Sequence, residues 1–426
     1  MTACGLDFGT SNTTLGVGAA DGGNLRLLPL DGSRPTLPSA LFFDFEADAV
    51  TVGQAAIDAY VSGVEGRLMR SIKSMLGTDL IDADTALRRG RISFRTVIAT
   101  FLGAVKERAE AALGERLDAV VLGRPVHFVD GDPAGDAAAQ AALEGIARTV
   151  GFRTVSFQYE PIAAALDYER RVEGEELALI ADIGGGTSDF SVVRLGPERR
   201  GRADRAGDIL ANDGIRLGGT DFDRDLSLAT AMPLLGHGSA MKRPGLLAPK
   251  SVFLDLATWS KINFLYTAKA MAELERLRRD SAAPDRIDRL IGVVGHRLGH
   301  ALAMAVERAK IALSDGPEAA LALDWGEGAL VRPVSAAELG EATGALAARI
   351  GARVHGCLSE AGVPAGAVDA LFLTGGSTLL PPVRAAIRAA VPDARVVEGD
   401  IFGSVGLGLA IEAGRRYGAV AAGGPG

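Results

Sequence analysis

Residues 3–18 read ACGLDFGTSNTTLGVG, and residues 178–193 read ALIADIGGGTSDFSVV. Each has a short apolar strand ending in an aspartate, a glycine-containing turn with hydroxyls, and a second apolar strand. One β-hairpin is therefore used twice, near the start of each half of the chain. The first continues through Asp21-Gly22-Gly23 into a further strand at Leu25–Leu30. The second runs into the polar stretch Pro197–Gly207, which reads as an exposed turn between strands.

Helical patterns follow each hairpin. Apolar spacing predicts a helix over Ile98–Leu113, a buried strand at Ala119–Leu122, and an alanine-rich helix over Ala137–Val150 stopped by Gly151. A strand at Val155–Phe157 leads into a helix over Pro161–Arg170, with proline in its first turn. In the second half, Ile287, Leu290, Ile291, Val294, Leu298, Leu302, Ala305, Ala309 and Leu313 share one face of a single long helix, Asp285–Ser314. The chain closes with a strand at Ala370–Thr374, a turn at Gly375–Ser377 and a helix from Pro381 or Pro382. The Gly/Ala-rich end, Gly418–Gly426, reads as frayed.

Two βββαβα halves, each carrying an insertion, match the actin-like architecture at the level of fold. The expected fold class is α/β: two lobes, each with a ribonuclease H-like core and an inserted subdomain. Lobe I is 1–174, with core 1–35 and 96–174 and insertion 36–95. Lobe II is 175–426, with core 175–214 and 301–399 and insertion 215–300. A C-terminal helix over 400–420 is expected to return toward lobe I.

The chain's 426 residues exceed one ordinary core, and 48% hydrophobic content suffices for several. Net charge of −8 argues against bulk electrostatic binding to nucleic acid or anionic lipid. Cys4 and Cys357 stand in no metal or redox spacing and read as reduced packing residues. Asp7 interrupts what would be a signal peptide's apolar region, and no apolar run is long enough for a bilayer. The reading is a cytoplasmic monomer with no membrane or nucleic-acid partner.

The chemistry lies in the turns. Phosphate needs several backbone N–H groups aimed at one point. Gly9 permits close approach, and Thr10, Ser11 and Asn12 add donors. Gly184, Gly185, Gly186 and Thr187 offer the same on the second hairpin. Either turn alone is an ordinary turn. Two related by duplication, each preceded by a strand-end aspartate, are a stronger pattern. A turn does not need Asp7 or Asp182, and unpaired buried carboxylates are costly, so the pair suggests a divalent cation held between them through water. Glu160 starts a helix just after a strand, either as a dipole-satisfied carboxylate or as a site residue. Lys73 is uncommon in an arginine-rich chain, although a solvated helix charge is the plainer reading. Gly375, Gly376 and Ser377 join a strand to a helix and present flat backbone to a nucleoside. Glu307, Lys310 and Ser314 share a helix face, which is an ordinary polar face unless the rest of the pattern holds.

Together these motifs resemble the seventy-kilodalton heat-shock chaperone family, in a short bacterial form made of the ATPase part alone. Gly5 to Asn12 resembles the family's first phosphate motif, Asp182 to Asp189 its second, and Glu160-Pro161 with the following alanines its connecting motif. Asn212 to Asp223, including Gly218 and Gly219, resembles the entry to the second insertion. Glu307 to Lys310 and Gly375 to Thr378 resemble the adenosine elements. The resemblance covers nearly the whole chain. It implies ATP and ADP as ligands with Mg2+, a slow ATPase, and a nucleotide-dependent switch read by an unknown client or co-chaperone. It implies that Lys73 orients the attacking water and the γ-phosphate. Asp7, Glu160 and Asp182 would surround hydrated magnesium, with Asp182 also placed to orient or accept from the water. Asp189 would hold a monovalent cation, with K+ the candidate. Glu307 and Lys310 would contact ribose, and Ser314 adenine.

There are departures. Ile311 and Leu379 replace two arginines near adenine, and Phe402 stands near a ribose-side aspartate. Gln140 replaces an arginine linked to interdomain signalling, whereas Pro125 matches a switch proline. The acidic-apolar linker and β-rich peptide-binding domain expected after Gly426 are not in the sequence. An actin-like filament or scaffold, a sugar or acyl kinase, and a nucleotide switch without useful turnover remain alternatives. His296 and His300 have i, i+4 spacing but no third ligand. Trp259 and Trp325 read as packing residues, and Arg276, Arg278 and Arg279 as a solvated helix face.

Overall fold

A computed structural model describes residues 2–18, 24–88, 90–200, 202 and 205–418. The Asp21–Gly23 turn and the chain end beyond Gly418 lie outside the described residues. Two compact units are formed. One comprises Met1–Gly218, Ile350–Thr378 and Ile387–Gly426; the other comprises Gly219–Arg349 and Leu379–Ala386.

Both hairpins are in the first unit, and they share one register. Asp7 faces Thr14 and Phe8 faces Thr13; Asp182 faces Asp189 and Ile183 faces Ser188. Each hairpin is extended in parallel on its other edge. Ala3 pairs with Ala119 and Ala178 with Ala370, and those strands pair in parallel with Thr154–Tyr159 and Arg395–Glu398. Counting the five strands the sheets have in common, the order is the same in both: fifth, fourth, first, second, third; the first sheet adds a sixth, Leu37–Pro38, paired with Asn12–Val17. The central strands are buried on both faces and read as continuous apolar runs such as Ala119–Leu122.

Local chemistry sets the helix ends. Ser93 caps Phe94–Leu113 by accepting from Thr96 N–H at 3.1 Å, and Gly114, at φ 72°, ends it. Asp132 caps Pro133–Thr149. Both helices begin four residues before the apolar spacing predicts, because the caps and not the first buried residue fix the start.

The two halves exchange their last helices. Among the strands, Glu160–Glu169, from the first half, packs mainly on the second sheet's Glu176–Ile183 and Ser188–Leu195. Ser404–Tyr417, from the second half, lies on Ala3–Phe8, Asn12–Val17 and Ala119–Arg124. The helices also pack on each other, at backbone contact. A Cβ on Gly408 would lie 1.7 Å from the Ala163 carbonyl oxygen, and one on Gly5 would lie 2.2 Å from Ala410 N.

Three expectations are corrected. The single helix Asp285–Ser314 is two helices, Pro284–Gly295 and Gly299–Asp315. Leu298 N–H reaches back to Val293 O at 2.8 Å and Arg297 N–H to Val294 O at 3.1 Å, a Schellman closure with Arg297 left-handed at φ 57°. Gly299 then seats against Ile262 and Tyr266. Apolar residues fall in phase across the break, and no glycine marks the left-handed position. The predicted strand Leu25–Leu30 is a ladder only over Arg26–Leu27, with one further bond from Leu28 N–H to Leu15 O at 2.8 Å. The Pro197–Gly207 stretch is not simply an exposed turn: it leads into Asp208, which is buried and paired with Arg199 and Arg205, and Arg205 also binds the buried Glu169.

His300 is buried edge-on to Trp259, with ring centroids 4.7 Å apart, and is a packing residue. Among the described residues no helix is long and apolar enough to cross a membrane.

Replacing Gly408 by valine is expected to destabilise the protein by about 3 kcal/mol in urea unfolding, because helix backbone must move. Gly340→Ala is the control: it sits in a helix with open space around it, and its expected gain is about 0.5–1 kcal/mol.

Candidate functional site

Within the first unit, the duplicated register brings the two glycine turns face to face. A Cβ on Gly185 would lie 2.2 Å from Ser11 Oγ, and one on Gly186 would lie 2.6 Å from Thr10 Oγ1. Gly218 closes on the same turn, where a Cβ would meet Gly186 N at 2.5 Å. Gly9 packs against the Asn12 carbonyl, and Gly184 N–H bonds Thr187 O at 3.0 Å. Gly375, left-handed at φ 82°, brings its turn to Asp182, and Ser377 Oγ donates to Gly184 O at 2.9 Å. Gly376 lies under the half-exposed ring of Phe402.

The side chains beneath these turns carry an unusual excess of charge. Lys73 is buried and donates to Glu160 Oε1 at 2.5 Å. It lies on a short 3-10 turn, Ile72–Met75, so the solvated helix charge is set aside. The turn begins at Ser71 in the left-handed region, φ 55° and ψ 32°, which costs a residue with a Cβ about 1–2 kcal/mol. Glu160 opens its helix, where the dipole favours a carboxylate, and Gly123 leaves room for it. Asp7, Asp182 and Asp189 complete four carboxylates around one ammonium. Burial, then the Glu160 charge, pushes both Asp7 and Asp189 up to about 7. Asp182 is driven well above the usual carboxylate range, by burial first and then by Glu160, Asp189 and Asp7. Burial pulls the Lys73 ammonium down, but Glu160 and Asp7 outweigh it and hold it above its ordinary value.

Among the described residues no three His, Cys, Asp or Glu side chains close on one point as direct metal ligands. The carboxylates nonetheless fit a cation held at longer range: they repel one another in a desolvated place that one lysine does not neutralise, beside glycines whose missing Cβ atoms leave backbone open.

Several supports escape a sequence reading. Ser39, fully buried, donates Oγ to Gly9 O at 2.7 Å, and its N–H bonds Ser11 O at 2.9 Å. Only a hydroxyl inside the apolar run LPSALFF hints at it. The Val126 N–H donates to Asp189 Oδ1 at 2.6 Å, a backbone contact that no residue type signals. Arg124 donates to Gln140 and Asp136 and sits over the Phe128 and Tyr159 rings.

Gly219, Glu307, Lys310 and Ser314 belong to the second unit. Glu307, Lys310 and Ser314 lie on Gly299–Asp315, and Gly219 opens Gly219–Thr230. There Lys310 is buried, donating to Gly219 O at 3.1 Å and pairing with Asp223 at 2.8 Å, so it is not part of an ordinary exposed face. Ile311 beside it is 57% exposed.

Fold and site thus define an internally duplicated α/β protein with two opposed glycine turns over one buried acidic cluster. The profile of the family described as Hsp70 protein matches residues 86–231. Proteins named Chaperone protein HscA homolog from Shewanella sp. (strain MR-7), Shewanella sp. (strain ANA-3) and Shewanella baltica (strain OS155) are 26% identical to this chain. The match covers 96% of this chain and 58% of each relative, so the chain spans under two thirds of their length. Over residues 86–231 the chain is similar to the Hsp70 family.

Because Asp7 binds its proton more tightly folded than unfolded, its cost to stability is absent below about pH 4, grows as pH rises toward about 7, and stays constant above. Without nucleotide or divalent cation, Asp7→Asn is therefore expected to be more stable than the unsubstituted protein at about pH 8, with the margin closing toward about pH 4 in urea titrations.

Proposed function

We propose that the chain binds ATP with magnesium against the two glycine turns and hydrolyses it slowly, as a nucleotide-dependent switch of heat-shock chaperone type. The scaffold proposed for this is the actin-like fold with lobes at 1–174 and 175–426. A protein client or co-chaperone would read the bound state. The observation that carries the reading is Lys73, buried on Glu160 beneath turns that approach within side-chain contact of each other.

The roles follow from the chemistry of each group. Phosphoryl transfer to water asks a protein for positioning and for relief of spread negative charge. The amides of Gly9 to Asn12 and Gly184 to Thr187 supply donors at fixed places. Lys73, kept protonated by its neighbours, stabilises charge on the γ-phosphate and orients the water. Asp182 accepts from that water, and its raised proton affinity suits the task. Asp7, Asp182 and Glu160 hold hydrated magnesium, and Asp189 holds potassium. Magnesium, when bound, offsets the triphosphate charge. Gly375, Gly376 and Ser377 support the nucleoside, and Glu307, Lys310 and Ser314 are assigned to ribose and adenine by the family resemblance.

Lys73→Ala is expected to slow single-turnover hydrolysis by about a hundredfold or more while Mg·ADP still raises the melting temperature. Turnover unchanged by the substitution removes Lys73 from the mechanism. Ile311 and Leu379, both in the second unit and standing where the family resemblance has arginines near adenine, favour a base pocket without cation–π selectivity. Calorimetric Kd values for ATP and GTP are therefore expected to lie within about tenfold of each other; a hundredfold preference for ATP refutes the apolar pocket.

A further inference from the structure

The geometry points to Arg216 as a positioning residue that sets where Lys73 sits, an inference that rests on the hydrolytic reading above. Arg216 follows the strand Ile209–Ile215. Its Nη2 donates to Ser74 O at 2.5 Å, the carbonyl next after Lys73. Its own N–H is held by both oxygens of Asp130, at 3.0 and 3.1 Å. The next two residues belong to the floor of the second glycine turn: Leu217 O accepts from Ser188 Oγ at 2.7 Å, and Gly218 lies against Gly185 and Gly186. The segment Arg216–Gly218 thus meets the second turn through Leu217 and Gly218, while the Arg216 side chain is fixed to the Lys73 turn.

The Lys73 turn needs such a tether. It starts at left-handed Ser71, runs for four residues in 3-10 geometry, and closes with Leu76 N–H on Lys73 O at 3.0 Å. A turn this short makes few hydrogen bonds of its own. Ser74 Oγ bonds back to Ser71 O at 2.6 Å, which stiffens the turn but does not locate it. Lys73 Nζ is bonded to Glu160, and Glu160 sits on another helix. If the turn slackens, Nζ can swing about its single bond to Glu160 Oε1 as the backbone shifts, so its distance to the Gly185–Gly186 amides is no longer fixed. Arg216 removes that freedom by tying the turn to the same segment that carries Gly218. Its rigid, planar guanidinium suits a fixed span better than a flexible ammonium does.

The test uses the full chain with Arg216→Ala and Arg216→Lys. Three quantities are measured: single-turnover hydrolysis of Mg·ATP, affinity for Mg·ADP, and hydrogen exchange at the Ser74, Leu76 and Thr78 amides. Arg216→Ala is expected to slow hydrolysis by about tenfold, leave Mg·ADP affinity within about threefold, and speed exchange at those amides, with Arg216→Lys recovering part of the rate. A rate within about twofold of the unsubstituted protein overturns the assignment, as does ADP affinity that falls as far as the rate, the mark of a merely structural role. If the alanine variant does not fold, the lysine variant decides on the same measurements. If the unsubstituted chain does not hydrolyse Mg·ATP, the functional reading falls and the positioning role with it. Hydrolysis that is lost in Lys73→Ala but intact in both Arg216 variants refutes Arg216 alone.

Discussion

Four carboxylates share one buried ammonium, and the rest of the first unit is arranged around that imbalance. Charges of one sign do not gather in a desolvated place unless covalent geometry forces them there. Here the strands force it. Asp7 and Asp182 are the penultimate residues of equivalent strands, and Asp189 is fixed opposite Asp182 by hairpin register. Glu160 is delivered by the helix that follows the fifth strand, and Lys73 by a strained turn in the first insertion. The cost of the arrangement appears as the upward displacement of three aspartates. Any cation bound there would lower that cost, and its occupancy would then be linked to stability.

The duplication was legible in the sequence because register and spacing are local. The paired stretches 3–18 and 178–193 align without a gap, and the hairpins share a register. Strand Ala370–Thr374 has the predicted bounds because a buried strand is a short uninterrupted apolar run. The asymmetry between the hairpins is informative as well. Thr14 occupies the place in the first that Asp189 occupies in the second, so the surplus of charge falls to one side.

What the sequence hid is of a different kind. The break at Arg297 is made by main-chain bonds and a left-handed arginine, where composition suggests an unbroken helix. Ser39, Arg216 and the Val126 amide act on backbone groups distant in sequence, and neither spacing nor residue type reports such contacts. Lys73 was found as an uncommon residue type, but its burial depends on a 3-10 turn that periodicity does not see. By spacing Lys310 falls on a polar helix face, while the structure uses it as an internal tie to Gly219 and Asp223.

The exchange of terminal helices has a consequence for how the chain is made. The apolar face of the first sheet is roofed by residues 404–417, which a ribosome delivers long after the strands they cover. Until they emerge, strands formed hundreds of residues earlier have no cover on that side. The nascent first half therefore cannot complete its own interior, and the helix 404–417 closes a layer whose strands lie hundreds of residues before it in the chain.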